Sequence, residues 1–223
     1  MPMKQTARSA QTRERLLEAA ADVFAADGFR NARIQAICRR AGANIAAAHY
    51  HFGDKEGLYT AVFEYAAERA TRDYPPDDSA GVAPEARLRA HITSFLARLL
   101  DPDRPAWFAR LLAREMIDPT PALDRLVRRR MRANHDLLAD IIRELLGAGA
   151  ADETVRLCVL SVVSQCVFYR NSAPIIARLY PELEPAKELQ RIADHVTRFS
   201  LAAVAGLRVS GRNGKRTPCR TSA

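Results

Sequence analysis

The chain has 223 residues, 48% of them hydrophobic, which allows a sizeable core and excludes a disordered protein. Because it has no run of 18 apolar residues and no apolar segment of a signal peptide near its start, we expect a cytoplasmic protein without a membrane span. Its four cysteines lack CxxC or metal-ligand spacing, so they predict buried thiols and neither a zinc site nor a disulfide framework; no cofactor is expected.

Positive charge is concentrated at the two ends of the chain. Residues 1–60 carry 9 Lys/Arg and 6 Asp/Glu, residues 61–205 are balanced, and residues 206–223 carry 5 basic and no acidic residues, within a total of +8. A basic end suits contact with phosphates. For the C-terminal tail alone, charge that only aids solubility is the favoured interpretation, and its Gly/Ser/Thr-rich sequence predicts disorder over 208–223.

Helical periodicity recurs along the chain, and no segment is typical of a strand, so the predicted fold class is all-α with nine helices. A loose arm is expected over 1–10, and Gly28 is expected to end the first helix. The predicted helices span about residues 12–27, 34–41, 45–50, 54–74, 84–100, 106–117, 121–145, 152–170 and 186–207. The Pro- and Asp-rich segment 74–84 indicates two domains, 1–73 and 84–207, before the tail.

The second and third helices are joined by a tight glycine turn. Ile34, Ile37, Cys38 and Ala41 form one apolar helical face, and glycine follows where that helix should end, because it takes the left-handed conformation cheaply. Asn44 is a favoured N-cap that can accept an amide hydrogen of residue 46 or 47. Helix, glycine turn and short helix form the layout of a helix-turn-helix, whose second helix enters the major groove of DNA. We therefore predict a protein that recognises DNA sequence.

The chain resembles the TetR family of bacterial transcriptional regulators over about residues 12–65. The resemblance depends on VFAADGF at the end of the first helix, on the glycine turn AICRRAGA, and on YHFGDKEGLY at 50–59. The phrases NIAAAHYHFGDKEGLY and REMIDPTPALD are similar to one branch, the CecR-like regulators. Two positions depart from the family pattern: Ala32 replaces a hydroxyl cap, for which Asn31 is the candidate substitute, and Ala48 is smaller than usual.

The resemblance implies a set of DNA-contacting residues. Their roles are apolar contact in the groove for 45–47, a cap or base contact for residue 44, exposed ring contacts for 50 and 51, and phosphate contacts for the remainder. His49 stands where the family usually has tyrosine. The predicted residues are Thr12, Arg13, Arg33, Asn44, Ile45, Ala46, Ala47, His49, Tyr50, His51 and Lys55. Phe52 is expected to pack in the small domain's core against Phe24 and Ile37.

A short recognition helix buries little surface, so such proteins usually bind a two-fold operator as dimers. The eighth and ninth predicted helices, 152–170 and 186–207, are the expected homodimer surface. The resemblance also implies a small-molecule effector pocket in the middle helices. Its candidate lining residues are Phe95, Trp107, Phe108, Met116, Met131, Asn134, His135, Gln165, Phe168 and Tyr169, with Asn171 as a further polar candidate. An effector that favours the non-binding form would release the operator.

Three other interpretations remain open. An enzyme is disfavoured because GxSxG, P-loop, GxGxxG and HExxH motifs are missing, and His91, His135 and His195 lie on separate helices. A helix-turn-helix protein without an effector would bind DNA independently of small molecules. An adaptor that kept the fold would not bind DNA. The run RRRMR at 128–132 is interpreted as a solvated or salt-bridged face near Asp124, Asp136 and Asp140, and not as a nucleic-acid patch.

Overall fold

A computed structural model describes residues 2–73, 81–101 and 106–212. Within these ranges the secondary structure is helical, with no strand, which confirms the predicted all-α class. None of the described helices combines the length and the apolar character needed to cross a bilayer.

The helices, in chain order, fall close to the predicted positions. The helical elements are α1 (Pro2–Asn31), α2 (Ile34–Ala41), α3 (Ile45–Phe52), α4 (Lys55–Asp73), α5 (Pro84–Leu100), α6 (Ala106–Ile117), α7 (Pro121–Leu126), a π-helical turn (Val127–Met131), α8 (Arg132–Leu146), α9 (Asp152–Asn171), α10 (Ala173–Leu179) and α11 (Leu189–Arg212).

Two compact units are present, and their boundary differs from the predicted one. The described parts of 1–73 and 103–132 form the first unit, and those of 74–102 and 133–223 form the second. The prediction had placed 103–132 with the C-terminal domain. The grouping has a physical reason: Phe108, Leu111 and Leu126 are buried in the same apolar core as α1–α4.

The core of the first unit is built on the inward faces of α1, α2 and α4. Phe24 of α1 meets Tyr59 of α4 edge to face at 4.8 Å between ring centroids, so an aromatic pair helps to fix how these two helices pack. Tyr59 also meets Phe63 of the same helix at 5.2 Å. Phe52 packs against this cluster while half-buried, and Ile37 lies fully inside it. The expected placement of Phe52 is therefore confirmed.

The second unit packs α5 against α9 and α11, with α8 contributing to the same core. Buried aliphatic residues on every one of these helices form it: Leu88, Ile92, Leu96, Leu138, Ile141, Ile142, Val159, Val162, Ile192 and Val196. Cys158 and Cys166 lie buried among them, and Cys38 is buried in the first unit, as free thiols. This confirms the prediction for three cysteines; Cys219 lies outside the described residues.

Several predicted boundaries were wrong. The arm 1–10 is helical from Pro2, since α1 extends the first helix backwards, although Gly28 does interrupt it with φ 78° and ψ 170°. The predicted helix 121–145 is divided by the π-helical turn, and α10 was missed. Prolines at 174 and 181 argue against a helix in this part of the sequence. Pro174, however, lies in the first turn of α10, where proline is compatible with a helix. The tail is helical through Arg212, while 213–223 and 74–80 lie outside the described residues.

A candidate DNA-binding surface on the third helix

The turn between α2 and α3 has the geometry predicted from its sequence. Gly42 is left-handed, with φ 60° and ψ 38°, and the amide of Ala43 donates to the carbonyl of Cys38 at 3.0 Å. The Asn44 side chain then accepts the amide hydrogen of Ala47 at 2.7 Å, which caps the start of α3. The two helices are therefore joined as a helix-turn-helix in which α3 begins at a fixed residue.

One face of α3 is left open to solvent. Ala48 is the buried residue of this helix, while Ile45, Ala46, His49 and Tyr50 are exposed; the Tyr50 ring is 82% exposed and Ile45 43%. Large apolar side chains on a short helix are normally buried, so this exposure is consistent with contact to a partner surface. Ala47 and His51 are half-buried beside this face.

The turn after α3 is held by its own hydrogen bonds. His49 Nδ1 donates to the carbonyl of Gly53 at 2.5 Å, and Gly53 has a positive φ of 77°. Asp54 Oδ1 accepts the amide hydrogen of Gly57 at 2.7 Å, so Asp54 caps α4. Gly57 lies so close to the carbonyl oxygen of Phe52 that an added Cβ would stand 2.1 Å from it.

The predicted phosphate-contact residues differ in how firmly they are held. The Arg13 guanidinium stacks on the Phe52 ring at 5.5 Å, and Lys55 Nζ donates to the carbonyl of Arg30 at 3.0 Å while lying over the Phe29 ring. Thr12 Oγ1 donates to the carbonyl of Arg8. Arg33 is exposed and occupies the N-cap position of α2. The Arg13 and Lys55 side chains are therefore held by neighbouring groups, and Arg13 lies against Phe52 at the end of α3.

The suggestion that Asn31 caps α2 was wrong. The cap position belongs to Arg33, which makes no side-chain cap hydrogen bond, and Asn31 Nδ2 instead donates back to the carbonyl of Asp27 at 3.3 Å. The reason is spacing: α2 begins at Ile34, so residue 31 lies too far upstream to reach its first amides.

Sequence reasoning also missed two arginines at the end of α2. Arg39 and Arg40 are exposed, and Arg40 pairs with Asp22 of α1 at 2.6 Å. Arg39 adds a cation close to the glycine turn. Their sequence signal is a pair of basic residues in the last turn of a helix that leads into the glycine turn.

A buried carboxyl group joins α4 to α6 and α7 within the first unit. Glu115, 1% exposed, accepts the Tyr59 hydroxyl at 2.8 Å and the Thr120 amide at 2.8 Å. The Thr120 hydroxyl in turn caps α7 by accepting the Ala122 amide hydrogen. Burial and this hydrogen bond raise the pKa of Tyr59, so the ring keeps its hydroxyl proton. The REMIDPT sequence is therefore packed against the helix that follows α3.

Three ion pairs extend this connection along α4. Arg125 pairs with Glu56 at 2.6 Å, and the next two pairs join the π-helical turn to later turns of α4. Those pairs are Arg129–Glu64 at 2.6 Å and Arg130–Glu68 at 2.9 Å. The RRRMR run is thus salt-bridged as interpreted, although to α4 and not to the acidic neighbours suggested. Exposed pairs of this kind contribute at most about 1 kcal/mol each.

The predicted effector-pocket residues are divided between the two units. In the first unit Phe108 is buried, Trp107 half-buried, and Met116 and Met131 exposed; Met116 is 62% exposed. The second unit holds the remaining six: Phe95, Asn134, His135, Gln165, Phe168 and Tyr169. A groove of about 790 Å³ between α5 and α11 is lined by residues including Arg89, Asp194 and Leu201 and by none of the predicted set.

Part of that set comes together around Arg98. The Arg98 guanidinium donates to Asn134 Oδ1 at 3.3 Å and to Ser94 Oγ at 2.6 Å, and it lies over the Phe95 ring at 5.7 Å. The other polar candidates have partners elsewhere: His135 contacts Asp136, and Gln165 Nε2 donates to the carbonyl of Ser161. Phe168 is 54% exposed, and Tyr169 is half-buried.

Beside Arg98 lies a buried histidine, His91. His91 is 1% exposed, and neither ring nitrogen has a hydrogen-bond partner among the described residues. Burial, reinforced by the charge of Arg98, lowers the pKa of His91 to about 4. The ring is therefore neutral at physiological pH. Its unpaired nitrogens make α5 around residue 91 an incomplete polar site.

We expect His91 to make the protein less stable in mild acid. An unfolded histidine protonates near pH 6.5, whereas the folded ring stays neutral until about pH 4, so stability is complete above pH 6.5 and falls by about 3 kcal/mol as the pH drops to 4. Urea unfolding at several pH values measures this. His91→Leu should remove that part of the pH dependence, whereas His195→Asn, at an exposed position, should keep it; equal profiles for wild type and His91→Leu would contradict the expectation.

A glycine-pivoted helix pair, a capped second helix with an open face, and flanking cations define a helix-turn-helix DNA-binding protein. Comparison with known proteins agrees with this class. A family model of bacterial regulatory proteins of the tetR family matches residues 16–62. A second family model, the C-terminal domain of the HTH-type transcriptional dual regulator CecR, matches residues 84–204.

Two curated relatives that match most of the chain are named as transcriptional regulators. The HTH-type transcriptional repressor NicS of Pseudomonas putida is 29% identical, covering 89% of this chain and 93% of its own. The HTH-type transcriptional dual regulator CecR of Shigella flexneri is also 29% identical, over 74% of this chain and 78% of its own. The chain belongs to the TetR family of bacterial transcriptional regulators, with a CecR-type C-terminal part. It is therefore a DNA-binding regulator and not an enzyme.

Solved structures share the fold at low identity. A putative transcriptional regulator from Pseudomonas aeruginosa matches with a TM-score of 0.66 and 20% identity, over 89% of this chain and 92% of its own. The regulator FadR from Bacillus subtilis, solved in complex with stearoyl-CoA, matches with a TM-score of 0.58 and 16% identity, over 85% and 97% of the two chains. At these identities the likeness shows the fold alone.

Proposed function

We propose that this regulator is a cytoplasmic repressor that binds a palindromic operator as a homodimer and is released by a small-molecule effector. The observation that carries the DNA-binding part is the open face of α3, where Ile45, Ala46, His49 and Tyr50 project from a helix whose start is fixed by Asn44. The apolar residues would contact base edges such as thymine methyls, and the flanking cations would contact phosphates.

Exposed apolar side chains on α9 and α11 support the dimer. Leu157, Leu160 and Phe168 of α9 are each at least half exposed, and Phe199 of α11 is 59% exposed. These positions repeat along the outer faces of two long helices, and a second copy would remove them from water. Two such helices from each protomer would form a four-helix interface, with two α3 helices presented to one operator.

The effector is proposed to bind the C-terminal region, 84–207, with 1–73 as the DNA-binding domain. The His91 ring lies close to Phe95 and Arg98, and its nitrogens have no hydrogen-bond partner among the residues that the structure describes. This supports a polar pocket within the second unit. FadR, which shares the fold, was solved with stearoyl-CoA. An effector that binds the non-DNA-binding form more tightly would release the operator through a coupling of about 1–3 kcal/mol.

Selection of DNA from a random double-stranded library by the purified full-length protein tests this function. We expect enrichment of a palindrome that binds two protomers, with affinity falling steeply as salt rises. Arg33→Ala and Tyr50→Ala should each weaken binding about tenfold or more. Arg178→Ala, which removes an exposed arginine on α10, is the matched control and should bind like wild type.

The outcomes separate the alternatives. If no duplex is enriched and none binds at low salt, the DNA-binding proposal fails and an adaptor role is favoured. If the palindrome binds but no compound in a broad metabolite and antibiotic screen releases it, the helix-turn-helix protein without an effector is favoured. A monomer on the selected palindrome would contradict the proposed dimer through α9 and α11.

A further inference from the structure

We propose that DNA binding by this chain takes up a proton at His49, so that the operator is held more tightly as the pH falls below 8. The inference rests on the proposed function, because it requires His49 to reach a backbone phosphate. On this proposal, the pH dependence of DNA affinity comes from His49, because Ile45, Ala46 and Tyr50 on the same face of α3 are neutral side chains.

His49 is well placed for such a contact. It is exposed on α3, one turn after Ile45 and beside Tyr50, the most exposed large side chain of this helix at 82%. Ala48, its other neighbour in the chain, points into the core. The His49 ring therefore belongs to the same solvent-facing surface as the residues proposed to meet DNA.

The hydrogen bond to Gly53 decides the proton positions on the ring. His49 Nδ1 lies 2.5 Å from the carbonyl oxygen of Gly53, and a carbonyl can only accept, so Nδ1 carries a hydrogen. In the neutral ring Nε2 is then an acceptor. Phosphate oxygens in DNA are acceptors too, so the neutral ring cannot donate to them. When Nε2 takes a proton from solvent, the imidazolium can donate a charge-assisted hydrogen bond to phosphate and keep its bond to Gly53.

Among the described residues, no carboxylate forms an ion pair with His49. The helices packed against α3 carry both cations and acids. On α1 and α2 these include Arg13 on the Phe52 ring, Arg40 paired with Asp22, and the exposed residues Glu14, Arg15, Glu18 and Arg39. On α4 and the preceding turn they include Lys55 on a carbonyl, Glu56 paired with Arg125, and Asp54 capping Gly57.

Fluorescence anisotropy with the duplex selected by the wild-type protein tests the proposal between pH 8 and pH 6. Imidazole changes charge in this range, so we expect wild-type affinity to rise on the order of tenfold toward pH 6. His49→Gln offers an amide donor at every pH and should show little change. His195→Gln, at an exposed histidine on α11 outside the predicted DNA contacts, is the control and should keep the wild-type pH dependence.

Salt dependence gives a second measurement. At pH 6 the slope of log K against log salt should be steeper than at pH 8 by about one phosphate contact per protomer in wild type and in His195→Gln. The slope of His49→Gln should be the same at both pH values. NMR of the labelled histidine ring should show a neutral Nδ1–H tautomer in the free protein at pH 7.5 and an imidazolium on DNA.

A neutral His49 ring on bound DNA, or equal pH profiles for wild type and His49→Gln, would overturn the proposal while leaving the DNA-binding function intact. This holds even if His49→Gln binds too weakly to measure, because the NMR experiment uses the wild-type protein. Failure of every duplex to bind would instead reject the proposed function.

Discussion

Gly57→Ala is expected to destabilise the first unit by about 3 kcal/mol, because an added methyl group overpacks a site that has no room for it. The new Cβ would stand 2.1 Å from the carbonyl oxygen of Phe52 and 3.3 Å from its carbonyl carbon. Both are backbone atoms, so the end of α3 must move away from the start of α4. The change should also lower DNA affinity in the protein that remains folded, since the orientation of α3 depends on this turn.

Urea unfolding and DNA binding of the same preparations measure both effects. Gly206→Ala is the matched control: Gly206 lies within α11, and a Cβ there would meet nothing within 4 Å. By helix propensity alone alanine should stabilise that helix by up to about 1 kcal/mol. Opposite signs for the two substitutions are therefore expected. A Gly57→Ala protein as stable as wild type would show that the α3–α4 turn is not as close as described.

Glu115→Ala should have the second large effect and lower the free energy of unfolding by about 3 kcal/mol. The reason is that the buried donors that now bind the carboxyl group would lose their acceptor. The Tyr59 hydroxyl and the Thr120 amide each donate to Glu115 at 2.8 Å. Tyr59→Phe removes one donor without leaving the carboxyl group unsatisfied, since Thr120 still donates to it, and should cost about 1 kcal/mol.

Chemical denaturation of Glu115→Ala, Tyr59→Phe and the double variant measures the coupling. The loss in the double variant should be smaller than the sum of the single losses, because both changes break the same hydrogen bond. Glu182→Ala, at an exposed acidic position, is the control and should change stability by less than about 0.5 kcal/mol. Additive losses would mean that Tyr59 and Glu115 act independently.

The same bonds suggest why the first unit includes α6 and α7. Glu115 links α4 to the cap of α7 through Thr120, and Arg125 links α7 back to Glu56. One buried polar network and exposed ion pairs therefore connect α4, the helix that follows α3, to the segment 106–132. Variants in this network change the stability of the same compact unit that carries α3.

Much of the helix-turn-helix was determined by local sequence. Gly42 is left-handed and Asn44 caps α3 because conformational freedom at glycine and a short acceptor side chain act within a few residues. The helix bounds 84–100 and 106–117 were also predicted correctly, since proline and an apolar period of 3.6 residues are local signals. The family followed from the same N-terminal motifs.

Contacts between distant residues could be decided only by the tertiary structure. Sequence patterns did not show that 103–132 packs with the first unit or that Arg129 and Arg130 pair with α4. Nor did they show that His91 is buried with no hydrogen-bond partner for either ring nitrogen in the part of the chain that the structure describes. Periodicity states which face of a helix is apolar but not which helix covers it. The hydrogen-bond partners of Glu115 and the burial of His91 depend on where the chain brings other backbone and side-chain atoms, and that is a property of the folded molecule.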